Sequence, residues 1–296
     1  VVARQPGWEW LLPEWCRAAF GRALTSGAEP ALLAQVLTLP GETYLAEQMA
    51  VVDVDGIHAA RCFVQRTLAE RLCEPLQAAY ADLHRTEQDG YRIDADAIGR
   101  RALKNVCLDL LLQLDDADLR DLALRQFHAA GNMTDQIGAL AALATVDSPE
   151  RSEALTAFYA RWRHEALVVD KWLSVQATSR RPDTLAVVQN LMAHEAFNLR
   201  NPNKVRALIG AFSQANPLHF HAADYSGYTF LADQILALNA FNPQIAARLT
   251  AAFTRWRKYD PVRQQGMQVQ LERILATPAL SPDVYEIAAK SLGRED

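Results

Sequence analysis

Five stretches of this chain open on a short polar residue followed directly by proline: Ser148-Pro149, Asn201-Pro202, Asn242-Pro243, Asp260-Pro261 and Ser281-Pro282. A side-chain oxygen at the first position can accept from an otherwise orphaned helix amide. Proline suits the next position, where no donor is needed. Each pair marks a helix start, and each cap contributes on the order of 1 kcal/mol. Between them, apolar residues recur with the helical period. Ala, Leu, Gln, Glu and Arg dominate, and strict alternation is nearly absent. The pattern predicts helices over 14–25, 29–38, 42–51, 56–85, 94–113, 116–129, 134–145, 149–163, 165–177, 183–193, 202–213, 228–240, 243–256, 261–276 and 281–291. Tyr91-Arg92-Ile93 is the one stretch that reads as a strand, and it is too short to organise a sheet. Residues 86–89 read as a loop.

A chain of 296 residues, 50% hydrophobic, outgrows a single four-helix core. Stacking helix pairs solves this, because each pair buries its apolar face against the next. The expected fold is therefore all-α, an irregular superhelical array of paired antiparallel helices of the ARM/HEAT-like solenoid kind. It is irregular because no strict repeat is present. Composition marks no domain boundary, so 1–296 is expected to be a single domain.

Net charge and hydropathy narrow the partners. Thirty basic residues are interspersed with 35 acidic ones, for a net charge of -5, which gives no nucleic-acid footprint. No apolar run reaches membrane-spanning length; Val106 to Leu114 is broken by Asp109 and Gln113. The opening VVARQPGWEWLLPEW has no secretory layout and no initiator Met, which suggests a processed chain or a fragment of something larger, and favours the fragment. Cys16, Cys62, Cys73 and Cys107 lack CxxC spacing. They read as small buried hydrophobes of a reduced, cytoplasmic protein.

The search for chemistry centres on RNPNKVRALIGAFSQANPLHFHAADYSGYTFL, 200–231. Asn201-Pro202 starts a helix that sets Val205, Leu208, Ile209 and Phe212 on one side, with Arg206 at its boundary. A turn-rich loop carrying His219, His221 and Asp224 follows. These three could ligate a metal, but without a further strong ligand they read as capping or backbone-bonding groups. His164-Glu165 and His194-Glu195 each begin HExxH, yet Val168 and Asn198 stand where the second His belongs. Both read as helix-surface residues. Gly131-Asn132-Met133-Thr134 reads as a helix stop and capped start, and Asp170-Lys171-Trp172 as an inter-helix anchor. No GxSxG or phosphate-cradling glycine motif is present.

Resemblance extends this reading. RNPNKVRALIGAFSQANPLHFHAADYSGYTFLADQI is similar to the C-terminal helical domain of bacterial aminopeptidase N, a zinc aminopeptidase of the gluzincin class. LLAQVLTLP (32–40), RRALKNVCLDLL (100–111), RQFHAAGNMTDQIGALAAL (125–143), VVDKWLSVQATS (168–179), NPQIAARL (242–249) and YDPVRQQGMQVQLE (259–272) resemble the same domain in the same order. The likeness runs from about Glu29 to the end, and residues 1–28 match loosely. It implies a non-catalytic domain whose partners are the catalytic domain of the same polypeptide and peptide substrates. The HExxH zinc helix, a GAMEN-type motif and the oxyanion tyrosine would lie upstream, with zinc as the cofactor there. The family's helical domain closes over the active-site cavity, so peptides enter by a channel. The resemblance assigns substrate contact to Arg206, which matches the Arg of NPNxxRxLIGAF, and to Gln244 and Arg248, which match NPQxAxRL. Gln244 and Arg248 are four apart, so they share a helix face. The residues alone favour pairing of both arginines with carboxylates such as Asp224 or Asp233. The alternatives are a freestanding helical scaffold, or an enzyme with an active site around His219, His221 and Asp224.

Overall fold

The computed structural model describes residues 11–86 and 91–294. In chain order its helices are α1 (Glu14–Leu24), α2 (Pro30–Leu37), α3 (Glu42–Glu47), α4 (Val54–Arg71), α5 (Cys73–Thr86), α6 (Ala95–Leu111), α7 (Ala117–Ala129), α8 (Met133–Leu143) and α9 (Pro149–Trp162). They continue with α10 (Ala166–Ala177), α11 (Thr184–Met192), α12 (Pro202–Val205), a π-helical segment (Arg206–Gly210), α13 (Ala211–Ala215), α14 (Pro217–Phe220), α15 (Ser226–Asn239), α16 (Pro243–Thr250), α17 (Pro261–Leu275) and α18 (Pro282–Leu292). The expected all-α array is what forms. The β features among the described residues reduce to one isolated parallel bridge, Val52 to Tyr259, where Val52 N donates to the Lys258 carbonyl at 2.7 Å.

The five polar–proline pairs behave as capping chemistry requires. Ser148 Oγ accepts from Arg151 N at 3.2 Å, Asn201 Oδ1 from Asn203 N at 3.0 Å and Asn242 Oδ1 from Ile245 N at 3.4 Å. Asp260 Oδ1 serves both Val262 N and Arg263 N, and Ser281 Oγ takes Val284 N. A sixth pair, Asn216-Pro217, starts α14 in the same way, with Asn216 Oδ1 accepting from His219 N. The segment read as a turn-rich loop therefore contains a helical turn.

The chain divides into two compact units, one of 1–41 and 56–160, the other of 42–55 and 161–296. In the first, α6 is central, packing on α2, α5 and α8, while α7 pairs with α8. Leu103, Cys107, Leu108, Leu110 and Leu111 are the buried apolar side chains of α6, each of the leucines contributing about 1.5–3 kcal/mol. In the second, α15 packs on α16 and α17, and α18 packs on α16 and α17. Its core includes Leu208, Phe212, Tyr228, Leu231, Ile235, Phe253 and Leu271, all fully buried.

Several expectations need correction. The helix predicted over 56–85 is interrupted at Leu72, because Pro75 has no amide for the Arg71 carbonyl and its ring crowds it. The flanking bonds survive, Leu72 N to Leu68 O and Leu76 N to Leu72 O, each 2.8 Å, so the result is a kink. The helix predicted over 243–256 ends at Thr250 and tightens into 3₁₀ turns at Ala251–Phe253 and Trp256–Lys258. That tightening lets the buried Trp256 indole donate to Ser291 O at 2.8 Å. Tyr91-Arg92-Ile93 is irregular, and α5 runs to Thr86, with 87–89 of the predicted loop outside the described residues. Of the four free cysteines only Cys107 is buried, where burial pushes its thiol up to about 12. His164 and His194 sit between helices, not on helix surfaces. His194 packs on Trp172 and accepts from Ala196 N at 3.1 Å.

Candidate peptide-contact site

Arg206 is the first residue of the π segment. Asn201 and Pro202 start the helix, and Val205, Leu208, Ile209 and Phe212 turn inward as the periodicity predicts, none more than 1% exposed. The wider turn between them carries no residue signature, because its first and last residues, Arg206 and Gly210, keep α-like φ of -64° and -63°, open to any residue type. Single π turns of this kind occur often at functional sites. Three bonds tie α12 and the π segment to α10. Ser174 Oγ donates to Ala207 O at 2.9 Å, and Lys204 Nζ pairs with Asp170 at 2.7 Å and donates to Ala166 O at 2.9 Å. The Asp170-Lys171-Trp172 motif is thus an inter-helix anchor, with Trp172 buried.

Arg206 itself is exposed, its nearest polar contact a long 3.4 Å approach to Asn203 Oδ1. Gln244 and Arg248 are also exposed, one turn apart on α16, whose opposite side buries Ala246, Ala247 and Leu249. Pairing of the arginines with Asp224 or Asp233 does not occur. Asp233 binds Arg273 at 2.5 Å. Asp224 accepts from the hydroxyl and amide of Ser226, bonds that hold its carboxyl below the usual carboxylate range. Among the described residues, neither Arg206 nor Arg248 has a carboxylate partner.

The loop after α13 is anchored by a buried cluster. Asn216 caps α14 and donates to the carbonyls of Ala177 and Ser179 at 3.0 and 2.8 Å. His221 Nδ1 lies 2.9 Å from the Tyr228 hydroxyl, and the ring stacks on Tyr259 at 4.2 Å. Arg263 binds the whole together. Its Nε donates to His221 O at 2.7 Å, and Nη1 and Nη2 reach Asp260 and Asp55, each at 2.9 Å. Burial opposes ionisation of Asp260, but its bonds to Arg263 outweigh it and hold the carboxyl low. Tyr225 has φ +64°, a left-handed conformation that few non-glycine residues adopt, and stacks on Tyr228. Gly266 leaves room for its ring, and Gly227 lets the α14 backbone approach. His221 and Asp224 therefore hold structure, whereas His219 lends its backbone amide to the Asn216 cap and leaves Nε2 buried with no hydrogen-bond partner among the described residues. Among the described residues no group of three or more His, Cys, Asp or Glu is placed to hold a metal ion. The donor set does not fit zinc, and no chemical step is assigned to it.

Stacked helices, with no strand beyond one isolated bridge among the described residues, define an all-α helical-repeat domain. The chain belongs to the family described as a domain of unknown function (DUF3458_C) with ARM repeats, whose model matches residues 9–293. It is similar to aminopeptidase N of Caulobacter vibrioides, 42% identical over 93% of this chain and 32% of the relative. It is also similar to aminopeptidase N of Escherichia coli, 38% identical over 99% of the chain and 33% of the relative. Among solved structures it matches Legionella pneumophila aminopeptidase A, crystallised with aspartic acid, at TM-score 0.88 and 33% identity, over 98% of this chain and 35% of that one. The chain thus spans about a third of these relatives' length. The resemblance read from the motifs is borne out.

Proposed function

We propose that residues 1–296 form the single C-terminal helical domain of a cytoplasmic, zinc-dependent aminopeptidase N. In this reading the domain is not itself catalytic. It packs on the catalytic domain of the same polypeptide, closes the active-site chamber and limits entry to peptides. Arg206, Gln244 and Arg248 contact the peptide that enters.

The observation that carries this reading is the state of the arginines. An exposed guanidinium with no carboxylate partner keeps its donor fork available, and that fork matches a peptide carbonyl or C-terminal carboxylate. A charge-assisted bond of this type contributes about 1.5–3 kcal/mol, enough to set peptide affinity. The similarity to a third of each aminopeptidase supplies the rest of the polypeptide in which such a contact has a use.

The test is metal analysis and an aminopeptidase assay on the purified 296-residue chain beside the whole polypeptide. Stoichiometric zinc and amino-acid release are expected from the whole polypeptide, and neither from the chain. Zinc-dependent release by the chain alone would overturn the proposal.

A further inference from the structure

The first unit contains a cavity of about 380 Å³ lined by Tyr91, Arg101, Lys104, Gln126, Asn132 and Asp135, among others. Its floor is a closed polar network. Asp135 accepts from Lys104 Nζ at 3.0 Å, Asn105 Nδ2 at 3.0 Å and Asn132 Nδ2 at 2.7 Å, and both members of the Lys104–Asp135 pair are 2% exposed. Gln126 donates to Asn105 Oδ1 and Asp135 O, and accepts from the Tyr80 hydroxyl. Such a network cannot rearrange without stranding a buried polar group.

Arg101 is the member left over. It is 6% exposed, its Nη1 donates to Arg92 O at 2.9 Å, and its guanidinium lies 5.1 Å from the Tyr91 ring centroid. No carboxylate among the described residues pairs with it. Lys104 and Asp135 cancel, so among the described residues the wall keeps one desolvated positive charge with no carboxylate partner and most of its donors unused. Burying a charge in this state is costly unless something neutralises it. A cavity of this size suits a small molecule.

We infer that this cavity is a binding site for the oxyanion group, carboxylate or phosphate, of a small molecule. The Arg101 fork takes the oxyanion and the Tyr91 ring flanks it. The hydrogen-bonded floor fixes the arginine's position. This inference does not rest on the peptide contact proposed for the second unit.

The test is an NMR titration of the 296-residue chain with sodium acetate and, separately, inorganic phosphate at constant ionic strength. The Arg101 side-chain N–H signals are the readout, assigned by their loss in Arg101→Lys. Saturable shifts with Kd below about 10 mM are expected for at least one probe. Tighter acetate binding identifies a carboxylate ligand, and tighter phosphate binding a phosphorylated one. Arg101→Gln should weaken binding about tenfold or more. Should that variant fail to fold, Tyr91→Ala, at an exposed position, should still weaken binding about threefold. Absence of saturable shifts with both probes, or binding indifferent to these substitutions, overturns the inference.

Discussion

His221 Nδ1 lies 2.9 Å from the Tyr228 hydroxyl, with the histidine 6% exposed and the tyrosine fully buried. Burial first, then the nearby Arg263 charge, lowers the imidazole from its ordinary 6.5 to about 3. The folded chain therefore holds His221 neutral, and the unfolded chain does not. Stability from this group is complete above about pH 6.5 and is lost as pH falls toward 3, because the unfolded state binds the extra proton in that window. The loss is up to about 1.4 kcal/mol per pH unit. Urea unfolding between pH 6.5 and 5, where carboxylates stay ionised, should show this slope. His221→Gln should flatten it, whatever its effect on stability at pH 7.

The same cluster depends on two glycines. A Cβ at Gly227 would run into the Phe220 backbone, and one at Gly266 into the Tyr225 ring. Gly227→Ala and Gly266→Ala should each cost about 1–3 kcal/mol or more. Gly227→Ala should cost more, since helix backbone cannot swing aside as a ring can. Gly41→Ala, which meets open space, should stay within about 0.5 kcal/mol. Thermal melts of the three variants check the order.

In the first unit, Lys104→Met leaves the Asp135 carboxylate buried without its counter-charge. Loss of one partner of such a pair costs about 3–5 kcal/mol. Lys104→Arg, which keeps the charge, should lose less. Denaturant midpoints compared with an exposed-pair control, Lys290→Met against Glu286, should separate a large effect from one below about 1 kcal/mol.

What the sequence made legible was local. Asn201, Asn242, Asp260 and Ser281 announce helix starts because cap and proline are adjacent in the chain, and the structure places a helix after each. Asn216-Pro217 carried the same signal but was submerged in a run of turn formers. Pro75 hid because proline is also tolerated in a first helical turn. The π turn at Arg206 has no residue signature because its α-like backbone angles are open to any residue type. Arg263 joins Asp55, 208 positions away, and Lys104 joins Asp135, 31 away. Spacing rules reach only the next turn of a helix, so neither pair could be read. The exposure of Arg206, Gln244 and Arg248 follows from periodicity.

The account rests most directly on Arg248. In the aminopeptidase proposed above, Arg248→Ala should lower kcat/KM for a peptide about tenfold or more, mostly through KM, because the proposed charge-assisted contact is lost. Cleavage of a minimal amino-acid amide, too short to reach Arg248, should hardly change. Equal losses on both substrates would contradict substrate contact and leave Arg248 a structural role.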